Sequence, residues 1–185
     1  MVWSLAGFVV LAMAVTGEII FFRPDNKPTP PAVNQIKDDT VGLDFSISKD
    51  FDRISTIQLQ QLNPSFVYGF HPKDVTDTAC IVSQTKRSKG GPVPTDVLAQ
   101  ATYEEIKKTK PDAQVLVSEK AYLTDGRDAT KLEVSYSEGK SKVKQLEVVA
   151  TTDTRTTFAF CFSPEPVASL YHDAFLLFLT SLKIN

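Results

Sequence analysis

Histidine and cysteine are scarce in this chain, two of each among 185 residues, and tryptophan occurs once. So few sulfur and imidazole ligands exclude a zinc ribbon or a self-contained Cys/His metal cage, and the disulfide density of a knottin is missing. The first cysteine is Cys80, which excludes a lipidated cysteine near the amino terminus. An excess of positive charge is missing too. From residue 41 to residue 185, 17 Lys and Arg stand against 18 Asp and Glu, which excludes a strongly electrostatic nucleic-acid binder. There is no G-x-S-x-G elbow and no glycine-rich phosphate loop. Gly90-Gly91 runs into Pro92 and reads as a connection. No cofactor is implied, and no internal repeat is visible.

What is present begins with a greasy segment. Val2 to Phe22 carries one charge, Glu18. As a helix it spans roughly 30 Å, the thickness of a hydrocarbon core. Trp3 near one end and Phe21-Phe22 near the other suit the membrane interface. Residues 1–22 are therefore expected to be a single-pass transmembrane anchor. Ala12-Met13-Ala14 offers a signal-peptide cleavage pattern as an alternative, although the segment before it lacks Lys and Arg. A buried helix of a soluble protein is disfavoured, because the segment is apolar all round. Arg23 and Lys27 on the carboxyl side would by the positive-inside rule keep the domain in the cytoplasm. The two cysteines favour the other side, and the expectation is an extracytoplasmic domain.

Residues 23–40 contain Pro24, Pro28, Pro30 and Pro31 without apolar periodicity, and read as a Pro-rich linker. Residues 41–185 have the size of one domain. Leu43, Phe45 and Ile47 alternate with polar residues as in a strand with one buried face. Lys49 to Asp52 reads as a turn or a single helical turn. Phe66–Phe70 and Ala79–Thr85 are further strand-favouring runs. A helix is predicted from Thr95, its hydroxyl serving as cap, to about Lys108, with Val97, Leu98, Ala101 and Ile106 inward. A meander follows over 113–123, 127–137, 142–151 and 155–162, with glycine turns at Gly126 and Gly139. Phe158, Phe160 and Phe162 share one face of the last strand, and Thr157, Ala159 and Cys161 the other. Neither face is charged, which predicts a central strand covered on both sides. A closing helix is expected from about Glu165 to Leu182, with Val167, Leu170, Tyr171, Ala174, Leu177, Phe178 and Ser181 as its stripe. The fold class is α+β, a mainly antiparallel β-sheet covered by helices.

The opening Val41-Gly42-Leu43-Asp44-Phe45-Ser46-Ile47, the Lys49-Asp50-Phe51 step, the Lys120–Tyr136 hairpin and the Phe158–Leu182 strand-plus-helix resemble the PsbP-like fold. That fold is an α/β/α sandwich shared by extrinsic PsbP subunits of photosystem II, mycobacterial LpqN-type lipoproteins and a nuclear Ran-binding factor. The resemblance covers most of residues 41–185. It implies a mostly non-enzymatic binding or assembly role. This chain has a helical anchor where LpqN-type proteins have a lipobox, and it shows no chloroplast transit peptide.

Several side chains are candidates for chemistry. Cys80 and Cys161 sit in apolar strand-like runs and pair as a disulfide if their strands are neighbours in an oxidising compartment; otherwise they are two buried thiols. Lys86, Arg87 and Lys89, with Lys140, Lys142 and Lys144, form two basic clusters that read as solvated edges or as a surface for headgroups or an acidic partner. His71 with Asp74 and Asp77 is a weak pattern for a divalent ion, so no metal site is expected. His172 reads as a helix-surface histidine. The expected function is a membrane-anchored, non-catalytic binding module whose partner is a protein or small molecule. The alternatives are a small hydrolase using scattered residues such as His71, Asp74 and Ser83, and an accessory subunit of a membrane complex.

Overall fold

The computed structural model describes residues 32–73, 75–87, 91 and 93–185. Residues 1–22, expected to span a membrane, lie outside the described residues, as do Asp74, Lys89 and the linker up to residue 31. No described helix is long and apolar enough to cross a membrane.

Alternating apolar and polar residues build the carboxyl-terminal meander of β6 (Gln114–Tyr122), β7 (Asp128–Glu138), β8 (Ser141–Thr151) and β9 (Arg155–Pro164). Each strand pairs antiparallel with the next. Gly126 and Gly139 turn the hairpins at φ of 80° and 61°, a region where a Cβ would be strained. The sheet continues past β9 through β5 (Ala79–Lys86), β4 (Phe66–Pro72) and β3 (Phe51–Arg53). The order is β3-β4-β5-β9-β8-β7-β6, which places β9 in the middle.

Both faces of this sheet are covered. On one lie α3 (Glu165–Thr180) and a second sheet of β1 (Val33–Asp38), β2 (Leu43–Ser48) and β10 (Lys183–Ile184), ordered β1-β2-β10. Leu43, Phe45 and Ile47 of β2 meet Phe175, Phe178 and Leu179 of α3 over Phe70, Val82 and Cys161. The Phe45 ring approaches Tyr68, Phe70 and Phe178 edge-on, with centroids 5.3, 5.9 and 5.3 Å away, an arrangement that aromatic quadrupoles favour. The other face carries α2 (Thr95–Thr109), which packs Leu98, Ala99, Tyr103 and Ile106 on Leu132, Val134 and Val149. Near the β3 edge, α1 (Thr56–Leu62) packs on β4. Its buried Leu59 lies over Gly69, where an added Cβ would come within 2.6 Å of a Leu59 methyl. This is the layered α+β architecture expected, with several local differences.

Residues 33–38, read as the end of the linker, form β1 and pair in register with β2, from Val33 opposite Ser48 to Asp38 opposite Leu43. The domain therefore starts before residue 41. These residues are mostly exposed on a sheet edge, so their polarity gave no alternation to read. The helix α1 was not expected. Its signal is the Ser55-x-x-Gln58 capping box, in which the Ser55 hydroxyl accepts from Gln58 N–H and the Gln58 carbonyl from Ser55 N–H, both at 3.3 Å. Thr95 is not a cap. Pro94 holds that position, and the Thr95 hydroxyl pairs instead with Thr130 Oγ1 at 2.8 Å. Val97, Ala101 and Leu170 point to solvent. Packing on α2 runs through Leu98, Ala99, Tyr103 and Ile106, a stripe rotated from the expected one. Phe158, Phe160 and Phe162 on β9 are half-buried, because on that face α1 lies over β4 and α2 over β7 and β8, leaving β9 between them.

Candidate functional site

A concavity opens at the β6–β7 turn end of the sheet, beside the first turn of α2. This cleft of about 630 Å³ has Ser118 and Lys120 on β6, Asp128 and Thr130 on β7, Thr151 on β8, and Val93, Pro94, Thr95 and Asp96 along its helical wall. Its size suits a small ligand or a partner's side chains. Strand alternation puts Ser118, Lys120 and Thr130 on the α2 face, since Ser118 opposes Leu132 and Lys120 opposes Thr130. The Thr95–Thr130 hydroxyl pair then fixes the first turn of α2 against β7.

Two of the charges in the cleft are tied to each other. Lys120 Nζ lies 3.1 Å from Asp128 Oδ1 and 5.0 Å from the Tyr122 ring centroid. The hydrogen bond to Asp128 holds the Lys120 ammonium above its ordinary pKa. Arg127 donates through Nη2 to the Ile184 carbonyl at 2.9 Å and through Nη1 to the Thr151 carbonyl at 3.5 Å. Its Nε lies 3.5 Å from Asp125 Oδ2. Arg127 and Thr151 also line a second cleft of about 470 Å³ with Asp153, Thr154 and Asn185. The lining of the first cleft contains hydroxyls and both signs of charge, and neither histidine nor cysteine. That set recognises polar groups. It holds no nucleophile paired with an imidazole base.

Sequence reasoning missed this cleft, because its parts come from four separated segments. The Lys120 and Asp128 pairing was accessible from the hairpin register, but the wall from α2 was not.

The residues singled out from sequence fall elsewhere. Cys80 and Cys161 stand directly opposite on β5 and β9, both fully buried, with Cα atoms 4.0 Å apart and the sulfurs bonded. The basic residues are divided between the two ends of the sheet. Lys86 opposes Arg155 at one end, and the β7–β8 hairpin carries Lys140 and Lys142 at the other. They do not form one continuous surface. Lys86, Lys140 and Lys142 are exposed. Arg87 donates to the carbonyls of Thr152 and Gly91, while Lys144 lies 4.0 Å from Glu165. Lys89 is outside the described residues.

His71 and Ser83 are not brought together. Ser83 opposes Phe66, five residues from His71 along β4, or about 16 Å at a strand's rise. His71 Nδ1 lies 2.9 Å from the Pro72 carbonyl, and Ser83 Oγ lies 2.7 Å from Ser65 Oγ. Asp77 is exposed, and Asp74 is outside the described residues. His172 is exposed on α3.

No family model matches this chain, and no curated protein does. Solved structures do. The solution structure of cyanobacterial PsbP (CyanoP) from Synechocystis sp. PCC 6803 matches with a TM-score of 0.67 at 12% identity, over 89% of this chain and 99% of that one. The fold is PsbP-like. LpqN of Mycobacterium tuberculosis, described as involved in cell envelope biogenesis, is similar to this PsbP-like domain with a TM-score of 0.58 at 17% identity, over 83% of this chain and 91% of that one. Likeness at such identity carries the PsbP-like fold alone; the cleft rests on its own geometry.

Proposed function

We propose that this chain is a non-catalytic binding or assembly module of PsbP-like fold, tethered through residues 1–22 and displayed on the extracytoplasmic side. The cleft between α2 and the β6–β7 turn is its contact seat for a protein or small-molecule partner. The observation that carries this reading is the cleft's chemistry: hydroxyls and a Lys120–Asp128 ion pair set on paired strands, with no nucleophile held by an imidazole base. The greasy opening segment and the buried Cys80–Cys161 pair support the tether and the oxidising side. The similarity to LpqN, itself linked to cell envelope biogenesis, agrees with an envelope role. Exposed Lys140 and Lys142 at the opposite end form a second, weaker contact surface for anionic groups.

The test is co-purification of the full-length protein from its own membrane in mild detergent, comparing wild type with Lys120→Glu. Reversing one charge of the Lys120–Asp128 pair leaves two carboxylates together in the cleft, so a partner seated there is lost. Turnover of ester, phosphate or glycoside substrates, abolished by His71→Ala, would overturn the binding reading. Release of the uncut chain by alkaline carbonate would remove the tether, and a carboxyl-terminal reporter active only in the cytoplasm would reverse the orientation.

A further inference from the structure

Beneath α2, at the middle of the sheet, sits a carboxylic acid with no charged partner. Glu147 on β8 is 1% exposed and stands directly between Leu132 of β7 and Phe160 of β9. Its Oε2 accepts from Gln145 Nε2 at 3.0 Å, and the Gln145 carbonyl accepts from the Tyr136 hydroxyl at 3.3 Å. Its other oxygen, Oε1, is buried without a hydrogen-bond partner. An orphaned acceptor in such a place is costly, and an ionised one far more so.

The group above it is the Thr102 hydroxyl of α2. Thr102 Oγ1 donates its single proton to the Leu98 carbonyl at 3.1 Å. One proton serves one acceptor at a time, so the Leu98 carbonyl and Glu147 compete for it. A protonated carboxyl can do without that donor; a carboxylate buried there cannot. Burial pushes the Glu147 carboxyl up to about 7, against the opposing pull of Gln145 and Thr102.

The helix that meets this acid is thinly seated. Of the 15 residues of α2, Ala99 alone is fully buried, and no side chain caps the amino end. Lifting α2 would give the carboxylate water at far less cost than opening the central strands.

We propose that Glu147 is a proton-dependent latch, holding α2 against the sheet when its carboxyl is protonated and releasing the helix when it is ionised. Among the described residues, the other titratable groups on this face are two tyrosines and one ion pair, and none of them is bonded to Glu147. From β7 comes Tyr136, whose phenol burial pushes up to about 12. From α2 comes Tyr103, whose hydroxyl donates to the Ala113 carbonyl at 3.1 Å. β9 presents Phe160, which does not titrate. Lys110 and Glu138 lie beyond the Tyr136 ring and are joined to each other at 3.0 Å. The first turn of α2 also walls the cleft, so the same proton sets the cleft's shape. That last step rests on the cleft being the contact seat, whereas the latch does not.

The test is hydrogen exchange of the full-length protein in detergent micelles at pH 5 and pH 8, read on peptides from residues 95–109 and on the meander strands. With intrinsic exchange divided out, α2 protection in wild type falls on the order of 10- to 100-fold across that range, while the strands keep theirs. Glu147→Gln, which keeps the shape without the charge, abolishes the fall. Equal protection of α2 at both pH values, or the same fall in Glu147→Gln, overturns the latch. Should Glu147→Gln fail to fold, carboxyl carbon NMR of wild type decides: titration near 7 supports the latch, and titration near 4.5 refutes it. Neither readout involves the partner, so loss of the cleft reading leaves this result standing.

Discussion

Opening the Cys80–Cys161 bridge is expected to weaken the fold substantially without altering its shape. The two residues are separated by 81 positions and close a loop that contains α2 and most of the meander. Restoring that freedom to the unfolded chain costs about 4.5 kcal/mol at 25 °C in the chain-entropy account. The folded state loses little, because the residues are already directly opposed on paired strands. At a urea dependence of about 2 kcal/mol per molar for a domain of this size, the midpoint falls by roughly 2 M. The assay is urea unfolding in detergent with and without reductant, alongside a Cys80→Ala/Cys161→Ala double variant. Both sulfur-bearing residues are fully buried, so reductant acts slowly on the native protein and quickly once urea opens it. An unchanged midpoint in the double variant, or two thiols alkylated in untreated native protein, would refute the reasoning.

Two other outcomes follow from local geometry. Gly69→Ala pushes a methyl to within 2.6 Å of Leu59 Cδ2 and 3.2 Å of Ile54 Cδ1, an overpacking worth about 1–3 kcal/mol; Leu59→Ala in the same chain should recover part of the loss in a double-mutant cycle. Stability should also depend on pH through Glu147. Its folded pKa of about 7 lies above the ordinary carboxyl value of 4.5, so its contribution is complete below pH 4.5 and is lost by pH 7, roughly 3 kcal/mol in all. Urea midpoints measured across that interval should decline in wild type, and a Glu147→Gln profile of the same slope would contradict the assignment.

Much of the fold could be read from local pattern. The meander strands, their glycine turns and the two longer helices occur where alternation, helical spacing and breakers put them, within a few residues. The failures share a cause. Residues 33–38 have no apolar rhythm and are a strand because β2 offers them hydrogen bonds. Helix α1 has seven residues and one buried side chain, too little for a stripe to show. Leu170 looks like core by spacing and is 75% exposed, since the sheet meets α3 on a face rotated toward Phe175 and Leu179. The candidate site was less legible. Lys120 and Asp128 belong to one hairpin, but the helical wall of their cleft comes from residues 93–96, and nothing local says that α2 lands there.

Segment types, and the side of each strand on which a residue lies, are local properties, because they follow from backbone geometry repeating every two or 3.6 residues. Which strands are neighbours, that Cys80 meets Cys161, and that Glu147 is covered by a helix are consequences of long-range packing. Those outcomes depend on burying apolar faces against one another across long stretches of chain, a requirement that many pairings meet locally and that packing resolves.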